Sequence, residues 1–144
     1  MNISDFFDCS VISNEYFTRE TMESELIKVP FSYLKCVELK GNIGEGNYFY
    51  IKEDDLCFFQ TRKKISISIH NWNAMPLDSM QIFLLSRTGA FQIRTRCSGA
   101  RIIIGHNFKG SFEARIINDN SVLVIGDDVT THATRYQVHG DGIY

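Results

Sequence analysis

The chain lacks any run of apolar residues near the roughly 20 that a membrane helix requires. Its first residues, MNISDFFDCSVISNEYF, place Asp5 and Asp8 where a secretory leader carries basic residues. No membrane span and no signal peptide are expected, and a cytoplasmic location is the consistent expectation. Basic charge is also scarce, with 15 lysines and arginines against 17 aspartates and glutamates and a formal net charge of −2. The one cationic cluster, Arg62-Lys63-Lys64, is too small to hold a nucleic-acid backbone, so nucleic acid is not an expected partner. Cys9, Cys36, Cys57 and Cys97 stand 27, 21 and 40 residues apart, which forms neither a CxxC metal pair nor a dense disulfide scaffold. They read as reduced, mostly packed thiols. The four histidines are separated by 36, 26 and 7 residues with no cysteine pair beside them, so no metal site is expected.

What is present fits one domain: 144 residues, 44% of them hydrophobic, suffice for a real core. Residues 1–30 form an N-terminal cap segment in which TRETMESELIKVP, opening at Thr18 and stopping by Pro30, predicts one short helix. Residues 31–144 have a different texture, with β-branched and aromatic residues punctuated by Gly, Asn and Asp. The clearest strand is KKISISIHNW, where Ile65, Ile67 and Ile69 share one face and Ser66, Ser68 and His70 the other. YLKCVELKG, NYFYIKED, LCFFQ, MQIFLLS, AFQIRTR, ARIIIG, ARIIND and SVLVIG are further predicted strands. So many short strands predict an all-β domain, either a sandwich or a solenoid.

A repeat bears on that choice. RIIIGHNF (101–108) and VLVIGDDV (122–129) superpose at an offset of 21, matching Ile102 with Leu123, Ile104 with Ile125 and Gly105 with Gly126. Two aliphatics followed by a corner glycine describe one face and one corner of a coil. GNIGEGN (41–47) lacks the Lys-Ser/Thr of a phosphate loop and reads as a turn between strands. The acidic pairs within EDD (53–55) and at Asp127-Asp128 read as solvated corner residues rather than a cation site. Trp72, the only tryptophan, is either a stacking surface for a sugar or adenine or a core residue.

The segment GARIIIGHNFKGSFEARIINDNSVLVIGDDVTTHATRYQVHGDGIY (99–144) resembles the hexapeptide-repeat acyltransferases, in particular the polysaccharide O-acetyltransferases. The resemblance implies a left-handed parallel β-helix solenoid with a short N-terminal helical or irregular cap. It also implies three short faces per turn and about 18 residues per coil, so that 21 is one coil plus a corner insertion. Against this frame the apolar residues Tyr136 and Val138 stand one position off the inward ones, so a slip or a bulge is expected before them. By the same resemblance the protein is a homotrimer that moves an acetyl group from acetyl-CoA to a hydroxyl of a glycan acceptor.

Such a transfer needs a base for the hydroxyl proton, and a neutral imidazole of pKa about 6.5 suits it. The family's histidine has no counterpart between Gly142 and Ile143, which leaves His139 as the candidate catalytic base with Asp141 orienting its ring. His132 is a weaker candidate facing the groove, His106 reads as a solvated turn residue, and His70 as an outward strand residue. No cofactor-binding residue is assigned. Relatives run on for several coils past this loop, so the resemblance also implies a chain that stops before the site is complete. The alternative reading is a catalytically silent or truncated β-solenoid that binds a glycan or a partner protein.

Overall fold

The alternation of Ile65, Ile67 and Ile69 with serine and histidine builds a strand buried on one side only, and the same period recurs down the chain. The computed structural model describes residues 2–5, 16–61 and 63–138. Its strands are β1 (Ile27–Pro30), β2 (Val37–Gly41), β3 (Tyr48–Ile51), β4 (Ile65–Asn71) and β5 (Gln81–Leu84). They continue with β6 (Gly89–Thr95), β7 (Arg101–Ile104), β8 (Lys109–Ile116), β9 (Val122–Ile125) and β10 (Thr130–Val138). Successive strands alternate between two sheets. Sheet A has the order β1-β3-β5-β7-β9 and sheet B the order β2-β4-β6-β8-β10. Every pairing is parallel except β1 with β3, so the chain is a parallel β-solenoid of about three turns, closed at one end of sheet A by an antiparallel strand.

The 21-residue repeat is the coil itself. Arg101 pairs with Val122, Ile102 with Leu123 and Ile104 with Ile125, and across sheet B Ala90 pairs with Ser111. Gly105 and Gly126 stack at one corner, where a Cβ on Gly105 would lie 2.6 Å from the Gly126 carbonyl. The named strands of the described residues form two sheets, and a third, shorter stack lies between them, where Ile43 pairs with Leu77 in parallel and the Gly99 and Asn120 amides donate to the Asp78 and Ser98 carbonyls. Strands of seven to nine residues in β4, β6, β8 and β10 carry sheet B.

Inward residues of both sheets fill one core. Ile65, Ile67, Ile69, Phe91, Ile93 and Phe112 of sheet B meet Phe49, Ile82, Leu84, Ile102 and Leu123 of sheet A. Each such side chain, fully buried, contributes about 1.5–3 kcal/mol. The sheets differ in their outer faces. IFLL, RIII and VLVI are apolar at every position but one, and sheet A is accordingly buried on both sides. Its outer residues Tyr50, Phe83, Leu85, Ile103 and Val124 pack under Ile3, Phe17, Met22 and Leu26 of the N-terminal segment. In sheet B the central strands β4, β6 and β8 alternate and leave a polar outer face.

The N-terminal segment is short and partly helical, as its sequence predicts. Ile3–Asp5 form a 3-10 turn, and α1 (Arg19–Glu23) starts at Thr18, whose hydroxyl accepts from the Thr21 amide at 3.2 Å. The helix is brief because Ser24 turns extended and IKVP, part of the predicted helical stretch, becomes β1. Sheet A therefore begins at Ile27, ahead of residue 31, and the segment covers the flank of the solenoid.

Two further expectations are corrected. LCFFQ is helical, α2 (Leu56–Phe59), because three acidic residues, Glu53, Asp54 and Asp55, favour a helix start and one turn suffices to bury Phe59. The cysteines are not mostly packed: of those described, Cys36 is buried, Cys97 half-buried and Cys57 exposed on α2. The misfit at the last strand is a bulge. Thr131 pairs with Gly110 but Thr134 with Phe112, with Ala133 at φ +51°, and the extra residue places Tyr136 opposite Ala114 and Val138 opposite Ile116.

Candidate functional site

Stacked corners bring distant polar residues together at one edge of sheet A. His106 follows the corner glycine and is half-buried, which corrects the reading of it as a solvated turn residue. Its backbone N–H donates to Asp127 Oδ1 at 2.7 Å, one coil further on. The Lys52 ammonium donates to its Nε2, which puts the ring proton on Nδ1 and directs it to the Thr21 hydroxyl. Thr21 in turn donates to Asp127 Oδ2 at 2.9 Å, and the Thr18 amide donates to the same oxygen at 2.7 Å. Burial first, then the Lys52 charge, holds the His106 pKa below its ordinary value; Asp127, Glu20 and Asp55 pull the other way without reversing it. Of the paired acids Asp127 is therefore not a solvated corner residue, its side chain being largely buried, whereas Asp128 is exposed as expected and accepts from the Asn107 amide at 2.9 Å.

A recess of about 380 Å³ opens beside this cluster, lined by Lys52, Asp55, Arg87, Thr88, His106 and Asn107. Asp55 is almost fully buried and receives Arg87 Nε and Nη2 at 2.9 and 2.8 Å. Both ring nitrogens of His106 are engaged, so the imidazole has no lone pair to take a proton from an acceptor hydroxyl. The cluster clasps the N-terminal segment to two coils rather than forming a base.

The second polar assembly is the outer face of sheet B. Register places Lys40, His70, Arg94 and Arg115 in one row across β2, β4, β6 and β8, and Glu38, Ser68, Gln92, Glu113 and Arg135 in the next row. Glu113 is shared by three guanidiniums: Arg94 at 3.5 Å, Arg115 at 3.5 Å and Arg135 at 3.2 Å. Trp72, just past the end of β4 and two residues after His70, is 40% exposed and lies 5.9 Å under the Arg94 guanidinium. It is a surface residue, not core. Beside the bulge a depression of about 250 Å³ is lined by Gln92, Ser111, Glu113, Ala133, Thr134 and Arg135.

The predicted site residues fall apart accordingly. His139 and Asp141 lie outside the described residues. His132 is exposed in the bulge of β10, and His70 stands on the outer face of sheet B as expected. GNIGEGN is a turn between β2 and β3, its Gly44 amide donating to the Leu77 carbonyl at 2.9 Å. Among the described residues no group of three His, Cys, Asp or Glu side chains could hold a metal ion, and no helix is long and apolar enough to cross a membrane. The arginine row was missed from sequence, although the same 21-residue offset aligns FQIR (91–94) with FEAR (112–115). Comparison with known proteins finds no family model, no curated protein and no solved structure that matches the chain.

Proposed function

We propose that this chain is a glycan-binding β-solenoid module whose ligand lies across the outer face of sheet B. The observation that carries this reading is Trp72, an exposed indole just past the strand that carries Ser66, Ser68 and His70 and beside Arg94. An indole face stacks on the apolar face of a sugar ring while polar neighbours bond its hydroxyls. Ser66, Ser68, Gln92 and Ser111 supply those polar neighbours on a flat sheet, a surface suited to an extended polymer rather than to a small molecule. The test is a glycan array probed with the protein and with Trp72→Ala. Binding to glycans that disappears in the variant supports the reading; no binding, or binding untouched by the substitution, contradicts it.

Acetyl transfer is the second reading, favoured by the in-register stacking of the Gly105 and Gly126 corners that carry the family resemblance. It places His139 as base and Asp141 as its partner in a homotrimer using acetyl-CoA and a glycan hydroxyl. Calorimetric titration with coenzyme A tests it: saturable binding weakened by His139→Ala supports transfer, and absence of heat at millimolar ligand counts against it.

A further inference from the structure

We infer that the polymer bound by sheet B is acidic, a carboxylated glycan of the polyuronate type; this inference rests on the glycan-binding reading. Its basis is the imbalance around Glu113. One carboxylate serves Arg94, Arg115 and Arg135, and the neighbouring Glu38 is 3.7 Å from Lys40, so four cations on this face meet two carboxylates. The whole chain carries a formal charge of −2, so the face is cationic against an acidic molecule. Guanidiniums held this close repel one another, and a single shared carboxylate compensates only part of that repulsion. Anions arriving from solution supply the rest.

The pattern also fixes the kind of anion. Arg94 and Arg115 stand in register on adjacent strands, about 4.8 Å apart at the strand spacing, as do Lys40 and His70 in the same row. A polymer running across the strands with one carboxylate per sugar unit meets this row with similar periodicity. Guanidinium forks match carboxylates in bidentate geometry. The serines and glutamine between the charges are hydroxyl partners, which a glycan offers at every unit. Nucleic acid fits less well, because the face adds only two uncompensated charges and one exposed indole, not a row of stacking rings.

Calorimetric titration with polygalacturonate and with its fully methyl-esterified form separates the possibilities, with dextran sulfate and poly(U) as further probes. The expected result is binding to polygalacturonate that weakens with salt. It falls about tenfold in the Arg94→Gln/Arg115→Gln protein, since two partly exposed ion pairs are worth about 1–2 kcal/mol together. Arg19→Gln, on the opposite flank, leaves it unchanged. Equal affinity for the esterified polymer overturns the charge inference and leaves the glycan-binding reading standing. No binding to any glycan overturns both. Preference for dextran sulfate or for poly(U) overturns the carboxylate assignment. Should the double variant melt below the assay temperature, Arg135→Gln, in the neighbouring row and sharing Glu113 with both arginines, tests the same cationic face, since its side chain is 79% exposed and lies clear of the sheet interior.

Discussion

Lys52 donates a hydrogen bond to Nε2 of His106, and that contact joins the loop after β3 to a corner two coils away. It exists only while the imidazole is neutral, because a protonated Nε2 cannot accept. Through Nδ1 the same ring reaches Thr21, and through its backbone Asp127, so one histidine ties the N-terminal segment to the solenoid.

Acidification should therefore loosen this clasp. The folded-state pKa of His106 is lowered, so the unfolded chain takes up the proton first as pH falls. Its contribution to stability is complete above the ordinary histidine value of about 6.5 and declines as pH drops from there toward the depressed folded value. Thermal melts of the protein and of His106→Gln between pH 7.5 and 5 should show a steeper loss for the parent. Parallel curves would sink the idea.

Arg87 is predicted to matter for stability more than its exposure suggests. Its guanidinium is the partner of a carboxylate that is 2% exposed, and it also covers the Phe58 ring at 4.5 Å. Arg87→Ala leaves Asp55 buried and unpaired, at a cost of about 3 kcal/mol. Denaturant unfolding should show that loss, and adding Asp55→Asn should restore part of it. A variant within 0.5 kcal/mol of the parent would contradict the assignment, being about the scatter of ordinary surface changes.

The N-terminal segment is predicted to be an integral layer on sheet A. A Cβ on Gly126 would stand 2.4 Å from the Tyr16 carbonyl, so Gly126→Ala forces the segment away from the last corner, costing about 1–3 kcal/mol. Phe17→Ala, which opens a hole over that sheet's outer face, should cost about 3–5 kcal/mol. In hydrogen exchange both variants should lose protection first at the 16–26 segment and then on β7 and β9. Unchanged protection there would argue that the layer is dispensable.

Much of the fold was legible because it is written in periods. The alternation in ISISIHN, the apolar runs of RIII and VLVI, and the 21-residue offset that became the β7–β9 register all follow from local rules. Even the bulge before Tyr136 was visible as a mismatch of one position. The unequal strand lengths were not legible, since the 21-residue offset does not say how the residues of one coil divide between strands of four residues in sheet A and seven to nine in most of sheet B. α2 was missed because four residues of Leu, Cys and Phe carry no period. The His106 cluster was hidden for a different reason: Thr21, Lys52, His106 and Asp127 come from four separate segments, and only the stacking of corners unites them. The arginine row needed the repeat to be extended from sheet A to sheet B, which the sequence permits.

Trp72 is the only tryptophan of the chain and sits on the proposed binding face, so its fluorescence reports the central claim directly. Titration with oligogalacturonate should shift the emission to the blue and saturate, the indole passing from water to the face of a sugar ring, and added salt should reverse the change. An emission spectrum that stays constant while the same glycan binds, or no response to any glycan, would place the ligand elsewhere and contradict the account.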